Sequence, residues 1–436
     1  MMFQTDITEL IMPSCSAEDY LLASKRCEIA NLEKLLLTGE LVNSISQLVH
    51  MLQRERGLSN VYIASEGERF GSQRQEQIAL CLEMEAGLRQ RLAALDLDAC
   101  HLSGSVRLYA RIAYVLHGLD ALPEIRQRTL HLRITAKELT RLISALIAGL
   151  LSVVFEAADT ATDPDITRAL VAMFNFMQGK ELAGQERAWG ASGFAVGHFE
   201  TEEQHKLQHL IEAQARCFET FAEFSSPKPL HLWEALLVHE SAAELNRLRQ
   251  IVARANADEA IPSAFSEVWY DVATCRIDAM KQIEEALAAD LLSLCSTKLD
   301  GAQLDLRNHR CLLNSLVADA GESSSLSFLT DSLQAFEQHS SEETPPAGRS
   351  VYELLKAQSM RLQSVSDELQ QARQALMERK ILERAKGLLM EYQGVTEDQA
   401  YRQIRQSAME QNLRLMDVAE IIIERTRILL RNNHTA

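Results

Sequence analysis

The residues best suited to bind a small ligand are two arginines on the faces of predicted helices. Arg56 lies in MLQRERGLSN (51–60), on an otherwise core-forming stripe between Leu52 and Ser59. A guanidinium keeps its charge, so an inward-facing arginine needs a carboxylate or another anion as its partner. Glu55 lies about 100° away around the helix and is not a natural partner. The spacing therefore predicts a buried-facing Arg56 held by an anionic group.

A second arginine stands in a similar four-residue stretch. Q-E-R-A (185–188) aligns with R-E-R-G (54–57), and Arg187 shares a helix face with small and aromatic residues: Phe176, Gly179, Ala183, Gly190 and Phe194. Small residues allow another helix to approach closely. Arg56 and Arg187 could thus converge on a planar oxyanion such as carboxylate, nitrate or nitrite. The alternative is that both form buried salt bridges, with partners such as Glu181 or Glu240, or extend to water.

Other chemistry has weaker support in the sequence. It contains no G-x-S-x-G, Walker or H-E-x-x-H motif, and its eight cysteines include no C-x-x-C. We therefore expect no catalytic residues and no enzyme activity. His205 and His209 lie one helical turn apart beside Glu202 and Glu203, so a surface metal site is conceivable. A solvated helix face is the favoured interpretation, and no metal is expected.

The elements that carry these residues are predicted to be helical. The chain has 436 residues, with 8 Pro, 18 Gly and few β-branched alternations, which indicates an all-α protein. After an N-terminal segment (1–39) with a short helix at 15–37, helices are predicted at 41–66, 71–94, 104–119, 123–158, 163–193, 202–224, 229–257 and 263–297. Their lengths and short connections indicate two four-helix bundles that share long helices, forming a domain at 40–300.

The sequence does not indicate a membrane location. No secretion signal is evident, and the most apolar stretch, 142–158, is shorter than the ~20 residues that span a bilayer. We expect a buried helix there and a cytoplasmic protein without a membrane partner.

The charge is unevenly distributed, which indicates two functions on one chain. The net charge is −17, but residues from Arg349 onward carry 14 Lys and Arg against 12 Asp and Glu, or +2, leaving −19 on the preceding residues. A connecting helix at 302–337 and a polar linker at 338–349 form a segment at 301–349. The last segment, 350–436, is thus a separate, more basic module.

This last module begins with a predicted coiled coil. Leucines recur every seven residues at the a positions: Leu355, Leu362, Leu369 and Leu376. At the d positions Val365 and Ala372 fit a coiled coil, whereas Gln358 and Arg379 are imperfections. The heptads predict dimerisation or packing on another helix. The helix then runs on to a left-handed cap at Gly394, followed by helices at 397–411 and 415–431. The second of these three helices starts at a capping box of Thr396 and Gln399.

Basic and aromatic residues gather near the junctions of this small bundle. Those predicted to contact RNA are Arg384, Lys386, Tyr401, Arg402, Arg405 and Arg414, and Arg379 and Lys380 lie nearby. The basic side chains could meet phosphates, and Tyr401 could stack on an unpaired base. The alternative is ordinary solvated helix faces, since a charge of +2 is modest.

Residues 381–424 closely resemble the ANTAR domain, an RNA-binding module of transcription antiterminators. The matching stretches are A-K-G-L-L-M (385–390), T-E-D-Q-A-Y (396–401), A-M (408–409) and R-L-M-D-V-A-E (414–420). The resemblance implies a dimer that binds paired hairpins in a leader mRNA and prevents terminator formation. It implies RNA rather than DNA as the partner.

The helical body is similar to the NIT domain, an all-helical nitrate- and nitrite-sensing module. Q-R-E-R-G (53–57), Q-E-R-A (185–188) and W-x12-N-R-L-R (233–249) carry this resemblance. It implies that nitrate or nitrite binds Arg56 and Arg187, with Gln53 and Arg247 as further ligands and no other cofactor.

The combination predicts a one-component nitrate- or nitrite-responsive antiterminator of a nitrate assimilation operon. In this hypothesis the acidic body and linker mask the basic tail until an anion binds. Two alternatives stay open: a sensor of another small anion, such as a carboxylate metabolite, and a coiled-coil scaffold for protein partners.

Overall fold

The computed structural model describes most of the chain as helix. The described residues are 17–93, 105–255, 261–262, 264–319, 366, 369–370, 373–374, 377–378, 380–390, 393–395, 397–411 and 413–433, and none of them forms a strand. The all-α prediction is therefore confirmed. The chain divides into two compact units, 1–35 with 295–366 and 36–294 with 367–436. The predicted domain boundaries stay predictions.

The longer helices are numbered in chain order. In chain order they are α1 (Ala17–Ala64), α2 (Gly71–Ala93), α3 (Ser105–Asp120), α4 (Leu122–Leu130), α5 (Ala136–Thr160), α6 (Pro164–Val196), α7 (Thr201–Phe224), α8 (Pro227–Leu237), α9 (Glu240–Arg254), α10 (Phe265–Asp319), α11 (Glu397–Gln411) and α12 (Leu415–Asn433). A further helical segment at 380–390 precedes α11.

Two predicted helix breaks are absent from the structure. The predicted helices 15–37 and 41–66 form the single helix α1, and α10 continues past the predicted end at residue 297. Gly39 lies inside α1, where a Cβ would stand 3.4 Å from Leu292. The glycine therefore serves close helix packing here and does not end the helix.

Two predicted helices are each divided in the structure. The predicted helix 123–158 becomes α4 and α5, separated at Leu132, which has a left-handed φ of 54°. Thr135 then caps α5 by accepting a hydrogen bond from the Glu138 amide at 3.2 Å. The predicted helix 229–257 becomes α8 and α9, with the His239 side chain capping α9. Both caps are local signals that apolar periodicity overlooks.

The first four-helix bundle consists of α1, α2, α3 and α5. Leu41, Leu88, Ile112 and Leu150, one from each helix, line a small apolar gap at its centre. At 25 residues α5, which contains the apolar stretch 142–158, is long and apolar enough to cross a membrane by length and composition alone. Its burial in the fold, with 12 buried residues, fits the core helix that we expected.

The second bundle consists of α6, α7, α9 and α10. Its core includes Phe194, Leu207, Leu248 and Trp269, one from each helix. The small residues of α6 allow aromatic rings to lie against its backbone: a Cβ on Gly190 would stand 2.1 Å from Trp269. Helix α1 bonds to residues of both α5 and α6, so it serves both bundles. The two bundles therefore consist of different helices and are joined by bonds from α1, so the predicted sharing of long helices stays a prediction.

The C-terminal helices form a small bundle. The segment 380–390 packs with α11 and α12 around a core of short and aliphatic side chains: Ala385, Leu389, Ala400, Ile404, Ala408, Val418 and Ala419. Gly394 has a φ of 64°, as the predicted cap requires. Thr396, the linker and most of the predicted coiled coil, including Leu355, lie outside the described residues.

Candidate functional site

Arg56 is buried between α1, α5 and α6, as its helical phase predicts. Only 2% of the residue is exposed, and its guanidinium donates to Glu181 Oε1 at 2.6 Å and to Ser144 Oγ at 2.5 Å. Arg56 thus has a carboxylate of the protein as a partner, and this carboxylate, Glu181, is one of the two that the alternative interpretation named. Glu55, one residue earlier, is bound instead by Arg126 with two hydrogen bonds of 2.8 Å.

Arg187 is buried nearby without a carboxylate partner among the residues that the structure describes. Its Nη1 donates to Thr274 Oγ1 at 2.9 Å, and its guanidinium lies 5.0 Å from the centre of the Tyr270 ring. Burial lowers the pKa of Arg187, and the charge of Arg56 lowers it further, although Tyr270 opposes this shift. The group still remains charged at neutral pH. Arg187 is therefore a buried cation whose charge no contacting carboxylate balances.

Glycine residues allow the two guanidinium groups to lie at the interface of α1 and α6. A Cβ on Gly57 would stand 3.1 Å from Arg187 Nη2, and one on Gly184 would stand 2.9 Å from Arg56 Nη2. Arg187 therefore approaches the last residue of R-E-R-G, and Arg56 approaches the residue that directly precedes Q-E-R-A. The repeated R-E-R-G and Q-E-R-A stretches thus converge in the fold.

The structure brings Gln53 to this group but leaves Arg247 outside it. Gln53 donates to Glu181 Oε2 at 2.9 Å and so contacts the carboxylate that holds Arg56. Arg247 is exposed on α9 and pairs with Glu244 on the same helix. Arg249, two residues later, points inward to Glu186. Arg249 lies four residues after the core residue Leu245, and this spacing could have predicted that it faces inward. It was not among the predicted ligands.

Two other buried groups have the same composition as the Arg56 group. Glu55 binds Arg126 beside Arg74, and Glu186 binds Arg249 beside Arg276. Burial alone would raise the pKa of Glu186, but Arg249 brings it below the ordinary range. Burial lowers the pKa of Arg276 to about 10. In the described part of the chain, neither Arg74 nor Arg276 has a carboxylate within ion-pair distance, so burial by itself does not single out Arg187.

A fourth buried group joins α1, α6 and α10. The Lys180 ammonium pairs with the Glu284 carboxylate, which also accepts a hydrogen bond from the Ser46 hydroxyl. His50 is buried beside them, and its Nδ1 has no hydrogen-bond partner among the described residues. Burial, followed by the charge of Lys180, lowers the pKa of His50 to about 3. The imidazole is therefore neutral in the folded protein.

Acidification is expected to destabilise the fold through His50. Between pH 6.5 and about 3 the unfolded chain binds a proton at this residue that the folded protein does not, so stability falls as the pH falls. The melting temperature of wild type should decline more steeply across this range than that of His50→Gln. Equal slopes in the two proteins would contradict the assignment.

Several predicted RNA-contacting residues lie against the sensor helix α7. Tyr401 on α11 is buried, with its ring 4.9 Å from the His209 ring and 4.6 Å from the Arg216 guanidinium. Arg405 donates to both oxygens of Glu212, at 3.0 and 2.8 Å. The carboxylate of Glu212 has a lowered pKa: burial alone would raise it, but the hydrogen bond from Gln208 and the charge of Arg405 outweigh that. On the face of α11 predicted to meet RNA, Tyr401 is thus covered by α7, and Arg405 is exposed but paired with Glu212.

The remaining predicted RNA contacts have different environments. Arg402 is exposed and lies 3.3 Å from His205 Nδ1, while Arg384 and Arg414 are exposed as well. Lys386 is buried and pairs with Glu383 at 2.7 Å, which does not fit a phosphate contact in this conformation. The burial of Lys386 in the small bundle could not be predicted from the phase of its own helix.

Further contacts hold the C-terminal module to the end of α5. Lys380 Nζ lies 3.4 Å from Asp159, and Arg373 donates to the Ala161 carbonyl at 3.1 Å. No grouping of His, Cys, Asp or Glu in the described part of the chain could hold a metal ion. His205 and His209, considered above as metal ligands, face Arg402 and Tyr401 instead.

The fold and these contacts define an all-helical protein in which a large helical body holds a small C-terminal three-helix bundle. The chain belongs to the family described as nitrate and nitrite sensing, the NIT domain, whose model matches residues 47–292. The ANTAR domain model matches residues 370–423. Both resemblances noted in the sequence are thereby confirmed.

Two similar proteins align with nearly the whole chain. The nitrate regulatory protein of Klebsiella oxytoca is 32% identical over 407 residues, which cover 93% of this chain and 94% of that protein. The solved structure of the NasR transcription antiterminator has 30% sequence identity and a TM-score of 0.59, covering 94% of this chain and 99% of that one. The likeness therefore extends across both domains.

Proposed function

We propose that this protein is a nitrate- or nitrite-responsive transcription antiterminator. The anion binds in the helical sensor at Arg56 and Arg187, and the ANTAR module then binds hairpins of a leader mRNA and prevents termination in a nitrate assimilation operon. The matched domain families and the two relatives support this function. A cytoplasmic homodimer without catalytic activity completes the proposal.

The observation that carries the regulatory part is the occupation of the α11 face by α7. Tyr401 is buried against His209 and Arg216, so RNA cannot reach its ring until α11 leaves α7. Arg405 is exposed but is held in an ion pair by Glu212. The docking face of α7 contains basic as well as acidic residues. Masking therefore depends on burial of Tyr401 as much as on the difference in net charge between the two domains.

A route from the anion site to this face follows helix α6. Arg187 is adjacent to Glu186, and Glu186 accepts a hydrogen bond of 2.7 Å from Gln214 on α7. Gln214 lies between Glu212 and Arg216 in the sequence. An anion that draws Arg56 and Arg187 together changes the position of α6, and α7 follows because the two helices share this bond. Binding thereby favours the state in which α11 is released.

The decisive experiment compares RNA binding with and without nitrate in proteins whose docking face is intact or altered. The full-length double variant Glu212→Arg/His209→Ala removes the ion pair and the ring contact without changing α11. We expect it to bind a two-hairpin leader RNA in the absence of nitrate roughly tenfold more tightly than wild type, which corresponds to about 1.4 kcal/mol. Wild type should reach the same affinity only with nitrate.

The matched control is Glu219→Arg, which reverses a charge at an exposed position of the same helix. It should keep the wild-type dependence on nitrate. If the double variant still requires nitrate, α7 is not the mask. If wild type binds duplex DNA as well as hairpin RNA, or responds to acetate and phosphate as it does to nitrate, the proposed function is wrong.

A further inference from the structure

We infer that Glu181 determines which anions the site accepts. It fixes the net charge of the site, so that singly charged anions bind and doubly charged anions are rejected. The inference rests on the proposed function, because it concerns the same site. It assigns Glu181 a role in specificity beyond its role as the structural partner of Arg56.

The Glu181 carboxylate is held too firmly to be displaced by an incoming anion. Oε1 accepts hydrogen bonds from Arg56 at 2.6 Å and Gln185 at 3.0 Å, while Oε2 accepts from Gln53 at 2.9 Å and Arg56 at 3.2 Å. Its side chain is 3% exposed. Leaving this position would place an unpaired carboxylate in the protein interior, which is strongly unfavourable. A ligand therefore adds to Glu181 and does not replace it.

With Glu181 in place, the site has one net positive charge. The carboxylate balances Arg56, and Arg187 remains without a contacting carboxylate in the described residues. Asp278 also attracts Arg187 electrostatically, but its side chain is exposed, so solvent screens it. The unbalanced charge is thus that of Arg187, held beside the ion pair at the interface of α1 and α6.

One positive charge in a buried site selects the ligand by its charge. A single-charged planar anion such as nitrate or nitrite neutralises Arg187 and leaves no net charge inside the protein. A sulfate ion would leave one uncompensated negative charge, close to the Glu181 carboxylate that it would also repel. Because buried net charge is unfavourable, the site should reject sulfate. Acetate carries one negative charge, as nitrate does, so discrimination against acetate depends on the shape of the anion.

The test measures nitrate and sulfate binding to the full-length protein by calorimetry in a low-chloride buffer. Wild type should bind nitrate at least about tenfold more tightly than sulfate if the site selects anions by their charge. Glu181→Gln keeps the shape of the side chain but raises the site to two positive charges. In this variant the ratio of nitrate to sulfate affinity should fall by about tenfold or more.

The matched control is Glu55→Gln, which makes the same change beside Arg126 and Arg74 and should leave the affinity ratio unaltered. Wild type alone provides a test that is independent of variant folding, because equal binding of nitrate and sulfate would overturn the inference. If wild type binds no anion, the proposed function fails and the inference falls with it. If wild type binds nitrate selectively and Glu181→Gln keeps the same ratio, only the inference is overturned.

Discussion

If nitrate binds as proposed and raises the melting temperature, replacement of Arg187 by methionine is expected to abolish that rise without lowering the stability of the free protein. Arg187 has no carboxylate partner in the described part of the chain, so its removal leaves no buried negative charge unpaired. Methionine has a similar length and fills the space beside Tyr270 with apolar atoms. Replacement of a buried charge by a well-packed apolar side chain is commonly neutral or stabilising, by roughly 1–4 kcal/mol in known cases.

The corresponding change at Arg56 should give a different stability result. Arg56→Met also removes a proposed anion ligand, but it leaves Glu181 buried without its cation. We therefore expect a loss of about 3–5 kcal/mol in the free energy of unfolding, besides the lost nitrate response. Urea denaturation of both variants, with circular dichroism to check helical content, measures the expected difference in stability between Arg56→Met and Arg187→Met.

Two matched controls distinguish this site from the similar buried groups. Arg74→Met and Arg276→Met each remove an arginine that stands beside an Arg–Glu pair, as Arg187 does. Both should keep the nitrate-induced rise in melting temperature. If Arg276→Met loses it while Arg187→Met keeps it, the anion binds near Glu186, and our assignment is wrong.

Replacement of Lys180 by methionine is expected to cause a loss of stability as large as that of Arg56→Met. Lys180 and Glu284 are each about 1% exposed, and they join α6 to α10. Removing the ammonium leaves the Glu284 carboxylate with the Ser46 hydroxyl as its remaining described hydrogen-bond donor. An unpaired buried carboxylate destabilises a fold by about 3–5 kcal/mol. Urea denaturation of the full-length variant measures this loss directly.

The double variant Lys180→Met/Glu284→Met distinguishes the ion pair from simple packing. With both charges replaced by side chains of similar size, most of the lost stability should return. If the double variant loses as much stability as Lys180→Met and Glu284→Met lose in sum, the two residues act independently. The buried pair would then not be the origin of the effect.

The sequence predicted local features well because they depend on neighbours a few residues away. The inward phase of Arg56 follows from a period of 3.6 residues and the apolar residues around it. Gly394 could be recognised as a helix cap because a left-handed residue there favours glycine. Periodicity did not predict the break at Leu132, since the stretch 123–158 is apolar at helical spacing on both sides of it.

The sequence by itself determined an all-helical sensor with an ANTAR module, and it identified the two arginines that meet in the fold. Only the tertiary structure decided their partners. Arg56 is paired with Glu181, 125 residues away, and Arg249 lies inward where Arg247 was predicted to bind. Tyr401, predicted to stack on a base, is buried against α7. Helical periodicity gives the direction of a side chain from its own helix, but the group that it meets depends on how distant helices pack.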